Sequence, residues 1–270
     1  MRLTLCAVAA LIVTSAVLVP AVDQQATLGY DDTPMQPGGR WHIHDGRRPQ
    51  PVVVAPGPPA AAPSPVPGDA TVLLGSRDDL AAWQMTDGSP ATWTMKNGVL
   101  ETGKGLLRTK ATFTDFQLHV EFATPSDVKG NSQERGNSGV FLLGLFEIQV
   151  LDSYRNPTYP DGQAAAMYGQ YPPLVNASRP PGEWQTYDIV FTAPRFTPAG
   201  ALEKPAVATV FHNGIVVHHA TSFWGPTAHK KIDPYTAAAA KGPIALQDHG
   251  NPVRYRNIWI RALREYDWNS

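Results

Sequence analysis

The chain has little sulfur chemistry to offer: one cysteine in 270 residues, Cys6, inside the apolar run Leu3 to Val19. If that run is removed, the remaining protein has no thiol. Disulfides, cysteine nucleophiles and thiolate metal sites are then excluded, and a divalent metal would have to rest on oxygen or imidazole ligands. A charge excess is also missing, since 22 Lys and Arg stand against 23 Asp and Glu. Nothing draws such a chain electrostatically to nucleic acid or to an anionic membrane. The sequence has no glycine-rich phosphate loop, no Gly-x-Ser-x-Gly elbow and no His-Glu-x-x-His. It has no internal repeat and no amphipathic helical period of ordinary length.

What is present begins with Met1-Arg2, the uncharged run to Val19, then Pro20-Ala21. This pattern predicts a signal peptide over residues 1–21 and a periplasmic or secreted protein with no membrane attachment after cleavage. The competing reading is an uncleaved anchor, for which the run is just long enough, although no basic stop-transfer cluster follows it. Residues 22–69 read as an extended leader and linker, because Pro49, Pro51, Pro56, Pro58, Pro59, Pro63, Pro65 and Pro67 remove donors that any ladder needs. Within it, Gly29 to Asp45 carries Tyr30, Trp41, His42 and His44, which is too aromatic for a pure spacer.

From residue 70 to 265 the period is that of strands. Phe116-Gln117-Leu118-His119-Val120-Glu121-Phe122 alternates strictly. Val207 to His212 and Ile215 to His218 flank Asn213-Gly214, a two-residue hairpin signal. Further candidates are Trp93-Met95, Val99-Glu101, Gly139-Leu143, Phe146-Leu151, Gln185-Phe191, Ile244-Leu246 and Val253-Leu263. Short strands at this spacing predict an all-β sandwich or barrel. Asp152 to Pro181 resists that period; its Tyr154, Tyr159, Tyr168 and Tyr171 would either stack on a ligand or pin the loop to the core.

Four segments carry groups suited to chemistry. On the strand Phe146 to Asp152, Glu147 and Gln149 share a face, and a bulge after Gln149 would bring Asp152 to it. Acids for proton transfer beside an amide for hydroxyls would suit a sugar cleft; the plainer alternative is a solvated strand face. Gln247-Asp248-His249-Gly250-Asn251-Pro252-Val253-Arg254 holds acid/base types, or is simply a loop closed by Asx turns. His42-Ile43-His44-Asp45 could clasp a metal or pair locally. His229-Lys230-Lys231 could hold an anionic or carbonyl group, or be a solvated charge run.

Taken together, Gly136-Asn137-Ser138-Gly139-Val140-Phe141, Phe146 to Asp152, Gly182-Glu183-Trp184-Gln185-Thr186-Tyr187, Asn213-Gly214 and Leu246 to Ile258 resemble the 3-keto-disaccharide hydrolase domain family. The resemblance covers about residues 70 to 263, and the leader also resembles one branch of that family. It implies a concanavalin A-like jelly-roll sandwich and a small-molecule carbohydrate substrate. Many members of the family carry an arginine where this chain has Leu142-Leu143-Gly144-Leu145; Arg135, Arg254 or Lys230 would then replace it. A 3-keto sugar is cleaved through an enolate, which needs a base, an acid and a stabiliser for the oxyanion. The roles expected from the resemblance are Glu147 or His249 as base, Asp152 and Gln149 orienting substrate or metal, and Arg254 at the oxyanion. Asn137, Asp248, Tyr168 and Lys230 are further substrate contacts. No ligand set for a metal is defined. The rival classes are a lectin-like glycan-binding module without turnover and an anchored envelope protein.

Overall fold

The computed structural model describes residues 28–264, so the expected signal peptide lies outside the described residues. Strict alternation becomes strand wherever one face can be buried. Two antiparallel sheets form the sandwich, with two two-stranded sheets beside it. The eight-stranded sheet runs in the order Ile215–Ser222, Val207–His212, Gln185–Thr192, Phe116–Ala123, Arg254–Ala262, Val99–Glu101 and Thr94–Lys96, with Thr71–Leu74 also paired to Arg254–Ala262. The five-stranded sheet runs Trp83–Met85, Leu107–Thr109, Ala245–Leu246, Ser138–Leu142, Phe146–Val150. Phe116, Leu118, Val120 and Phe122 from one sheet and Val140, Leu142, Ile148 and Val150 from the other belong to one buried core. Each such side chain contributes about 1.5–3 kcal/mol. The architecture is the expected all-β jelly-roll sandwich. Its helices are short 3₁₀ turns, and among the described residues none is long and apolar enough to cross a membrane.

Two tight turns set the strand registers. Asn213 (φ 53°) and Gly214 (φ 80°) make the expected primed hairpin. Leu143 (φ 54°) and Gly144 (φ 70°) make a second, joining Ser138–Leu142 to Phe146–Val150. The pairing of those two strands is unbroken from Ser138↔Val150 to Leu142↔Phe146. The expected bulge after Gln149 is therefore absent.

The proline-rich segment does not behave as a free tether. Val52–Val53 pairs in parallel with Val175–Asn176. Farther along, Arg179 Nη2 donates to the Gly57 carbonyl at 3.0 Å, and Asn257 Nδ2 donates to the Ser64 carbonyl at 2.9 Å. Proline removes a donor but leaves every carbonyl, so an extended proline-rich chain can still be gripped by side-chain N–H groups. The earlier stretch, Gly29 to Arg48, is folded onto the domain with Ile43 and His44 fully buried.

Candidate functional site

Alternation on two strands of the five-stranded sheet sends Val140, Leu142, Ile148 and Val150 into the core, and Phe141, Glu147 and Gln149 to the other face. There they line a cleft of about 460 Å³ together with Tyr30, Gln133, Asn137, Tyr159, Tyr168, Thr227, Ala228, His229, Gln247 and His249. The loop 152–181 builds one wall. It folds back along the edge strand, with Ala165 N donating to the Gln149 carbonyl (2.8 Å), Gln149 N to Ala166 (3.0 Å) and Tyr168 N to Glu147 (3.3 Å). Its tyrosines divide: Tyr159 and Tyr168 line the cleft, while Tyr171 is tied into the fold, accepting from Trp224 Nε1 at 2.6 Å.

Glu147 is 5% exposed, and among the described residues no cation pairs with it. Burial pushes its pKa up to about 8, so the carboxyl is protonated at neutral pH. The Gln149 amide nitrogen, turned toward the strand, donates to Glu147 Oε1 (3.1 Å) and to the Ser138 carbonyl (2.8 Å). Asn137 is held by its backbone N–H to Asn251 Oδ1 (2.7 Å) and by Nδ2 to the Gln133 carbonyl (2.7 Å), which leaves its buried Oδ1 without a partner among the described residues. That oxygen suits a sugar hydroxyl.

The opposite rim is imidazole-rich. His229 Nδ1 lies 3.1 Å from the Tyr168 hydroxyl, which lies 3.1 Å from that of Tyr159. Burial lowers the pKa of His229, and the neighbouring His44, Lys230 and His249 lower it further. Both effects favour the neutral imidazole. Burial drives Tyr159 and Tyr168 far above the usual phenol range, so both remain hydrogen-bond donors.

The structure thus gathers Glu147, Gln149, Asn137, Tyr168 and His249 around one cleft, and leaves four other expected residues outside its lining. Asp152 turns away because no bulge re-aims it. It pairs with Arg135 (Nε to Oδ2, 2.6 Å) and caps Tyr154 N at 3.1 Å. Asp248 closes an Asx turn, accepting from Gly250 N (2.7 Å) and Gly105 N (3.2 Å). Arg254 lies over the Trp184 ring (5.4 Å) and donates to the Gly182 carbonyl. Lys230 is not in the lining itself but rests on Tyr30, which is. Among the described residues no three His, Cys, Asp or Glu side chains gather as metal ligands. In the His42-Ile43-His44-Asp45 segment, His42 bonds the Thr33 carbonyl and Asp45 bonds Arg47, both local pairs, while His44 bonds the sequence-distant Asp161, so no clasp forms.

Tyr30, Gln133 and Asp161 had no role in the sequence reading. Tyr30 could have been suspected from the aromatic content of the leader; no local pattern marks the other two.

Residues 69–261 match the 3-keto-alpha-glucoside-1,2-lyase-like domain, and the chain belongs to that family. The chain is 23% identical over 255 residues to a 3-keto-disaccharide hydrolase of Bacteroides thetaiotaomicron, covering 74% of this chain and 80% of that protein. A crystal structure of a candidate glycosyl hydrolase from Parabacteroides distasonis is 42% identical, with a TM-score of 0.71, and covers 85% of this chain and all of the other. A second such protein from the same organism shares the fold at 19% identity, with a TM-score of 0.52 over 72% of this chain and 94% of that one. The domain is carbohydrate-active and glycosyl hydrolase-like.

Proposed function

We propose that this protein cleaves the glycosidic bond of 3-keto-glycosides by elimination followed by hydration. The observation that carries the reading is a neutral, buried carboxyl, Glu147, in the same cleft as a neutral imidazole, His229. General acid and base chemistry needs one group of each kind with its proton already in the right place. Glu147 suits the acid step, contrary to the base role open to it from sequence, because burial keeps its proton on.

In this mechanism an imidazole takes the C2 proton, and the C2–H electron pair forms C2=C3 with the charge on O3. In the tautomer that donates its Nδ1 proton to Tyr168, His229 presents Nε2 as the basic atom. The enolate then re-forms the C3 carbonyl, C1=C2 forms, and the C1–O bond breaks as Glu147 protonates the departing oxygen. Water adds across C1=C2, hydroxyl to C1 and proton to C2. Asn137, Gln149 and Gln247 supply polar contacts for sugar hydroxyls, and Tyr159 and Tyr168 supply the apolar walls. His249, exposed at the mouth, is the second imidazole within reach of substrate.

The test is hydrolysis of a 3-keto-glucoside beside its unoxidised parent, with and without a chelator. Cleavage of the keto sugar alone supports the reading. Activity that survives the chelator assigns oxyanion stabilisation to side chains; activity lost with it assigns that step to a metal ion. His229→Ala should lose more turnover than His249→Ala, and equal turnover in both variants and wild type would end the assignment. Saturable glycan binding with no cleavage would favour the lectin-like alternative. We also propose that the protein acts outside the cytoplasm, on the strength of the Leu3–Val19 run. N-terminal sequencing of the mature protein should begin after Pro20-Ala21, whereas a retained Met1 would contradict this.

A further inference from the structure

We propose that Tyr30, in the leader, is a positioning residue that clamps the Lys230 ammonium at the rim of the cleft, where it meets the charge that develops on O3 of the substrate. This rests on the reading above and assigns its oxyanion stabiliser. The family domain begins at residue 69, so the residue lies outside it.

Three independent features converge here. Tyr30 lines the cleft, and Lys230 Nζ sits 3.4 Å from its ring centroid, a close cation–π contact. Lys230 also has φ 59°, the left-handed region that a non-glycine residue enters only when its surroundings require it. The chain there is turned against its own preference, which fixes where the side chain leaves the backbone. Finally, the leader is anchored so that Tyr30 cannot drift. Tyr30 N donates to the His44 carbonyl (2.9 Å). His44, itself at φ 60°, is held by Asp161 through both its backbone N (2.9 Å) and Nδ1 (3.1 Å). Gln36 Nε2 donates to the same carboxylate at 2.8 Å. The His44 ring then stacks on His229 at 5.2 Å, and the Tyr30 ring meets His229 edge-on at 5.7 Å. One leader segment thus fixes both the base and the cation.

The other cations once open to this role are committed elsewhere: Arg135 to Asp152, Arg254 to Trp184 and Gly182. A preorganised cation aimed at a forming enolate acts in the transition state more than in the ground state.

The experiment is a double-mutant cycle on the full chain with a 3-keto-glucoside. Lys230→Met should lower kcat about 10²-fold, the scale for loss of one oxyanion donor. Tyr30→Ala should lower kcat roughly 3- to 30-fold with a smaller change in KM, and Tyr30→Phe, which keeps the ring, should recover most of it. The two losses should not add: the Tyr30→Ala, Lys230→Met pair should be no slower than Lys230→Met alone. Additive losses, or a Tyr30→Phe variant as slow as Tyr30→Ala, would overturn the proposal. A second readout needs no turnover. In the free protein the Lys230 ε-methylene protons should show an upfield ring-current shift that Tyr30→Ala abolishes. If wild type fails to cleave the sugar but that shift is present, the functional reading falls and the clamp stands. If wild type cleaves and the shift is absent, the clamp alone falls.

Discussion

Two glutamates, Glu147 and Glu121, sit on strands of opposite sheets with nearly the same burial, 5% and 2% exposed. The surroundings push them in opposite directions. Among the described residues Glu147 has no cationic partner, and burial raises its pKa to about 8. Burial would raise Glu121 too, but His119, Asn257, the Ser64 backbone N–H and Arg256 outweigh it and bring its pKa down to about 2. The contacts are direct: Arg256 Nε at 2.6 Å, Ser64 N at 2.7 Å, Asn257 Nδ2 at 2.8 Å and His119 Nε2 at 3.6 Å. A buried carboxylate with this many donors is an anchor, and here it ties the leader to the domain. A buried carboxyl without them is held ready for proton transfer.

Replacing Glu147 should give the largest effect on chemistry. Glu147→Gln keeps the shape and is expected to lower kcat by about 10²- to 10⁴-fold. In the wild type, kcat should decline as pH rises through about 8, where the acid form is lost. Stability has the same sign. The folded pKa lies above the ordinary 4.5, so the contribution of this group is complete below pH 4.5 and is lost as pH rises through about 8. Denaturation of the two proteins across that window should therefore favour Glu147→Gln progressively. A pH-independent difference would break the contrast.

The corresponding change at the anchor should act on stability. Glu121→Ala leaves the partly buried Arg256 without its carboxylate and buried His119 with Asp188 alone, and is expected to cost about 3 kcal/mol, the low end for a broken buried pair. Folded protein should retain its turnover. The pH signs here are the reverse for the carboxylate. The contribution of Glu121 is present above pH 4.5 and lost as pH falls through about 2. His119 is lowered by burial but raised more by Asp188 and Glu121, to about 9, so its contribution is present below pH 6.5 and lost as pH rises through about 9. A chemical-denaturation series showing less than about 1 kcal/mol lost would place Glu121 among ordinary surface pairs.

The difference between these glutamates also marks what the sequence could reveal. Phe116 to Phe122 and Phe146 to Leu151 announce their strands because one buried face imposes a period of two, and both sets of core residues follow from that pattern. The fate of the polar face does not follow, since it depends on what crosses it. Glu121 is covered by the leader at Ser64, and nothing about proline composition says where an extended chain will lie. Asp152 was expected in the cleft on the assumption of one extra residue, and the unbroken register against Ser138–Leu142 removes that assumption. Asp161 could not be read at all: its partners Gln36 and His44 are 125 and 117 residues away in the chain.

A subtler perturbation tests whether the position of Glu147, beyond its proton, matters. A Cβ placed on Gly139 would fall 2.2 Å from Glu147 Oε1. The carboxyl is the far end of a flexible side chain and can step aside, so Gly139→Ala should fold while misplacing the acid. Turnover should fall about 10²-fold, the scale for displacement of a catalytic group by about 1 Å. Unchanged kcat would mean that the carboxyl need not be fixed.

The smallest expected effect lies on the anchored side, at Trp184. Its ring carries the Arg256 guanidinium at 4.0 Å and that of Arg254 at 5.4 Å. Trp184→Ala removes both stacks but leaves the bond from Arg256 to Glu121, so it should cost about 0.5–2 kcal/mol. Turnover should not change, because neither arginine lines the cleft. A loss of kcat in this variant at full folding would return Arg254 to the substrate, the role the family resemblance implied. It would also join the two faces that the glutamates otherwise divide.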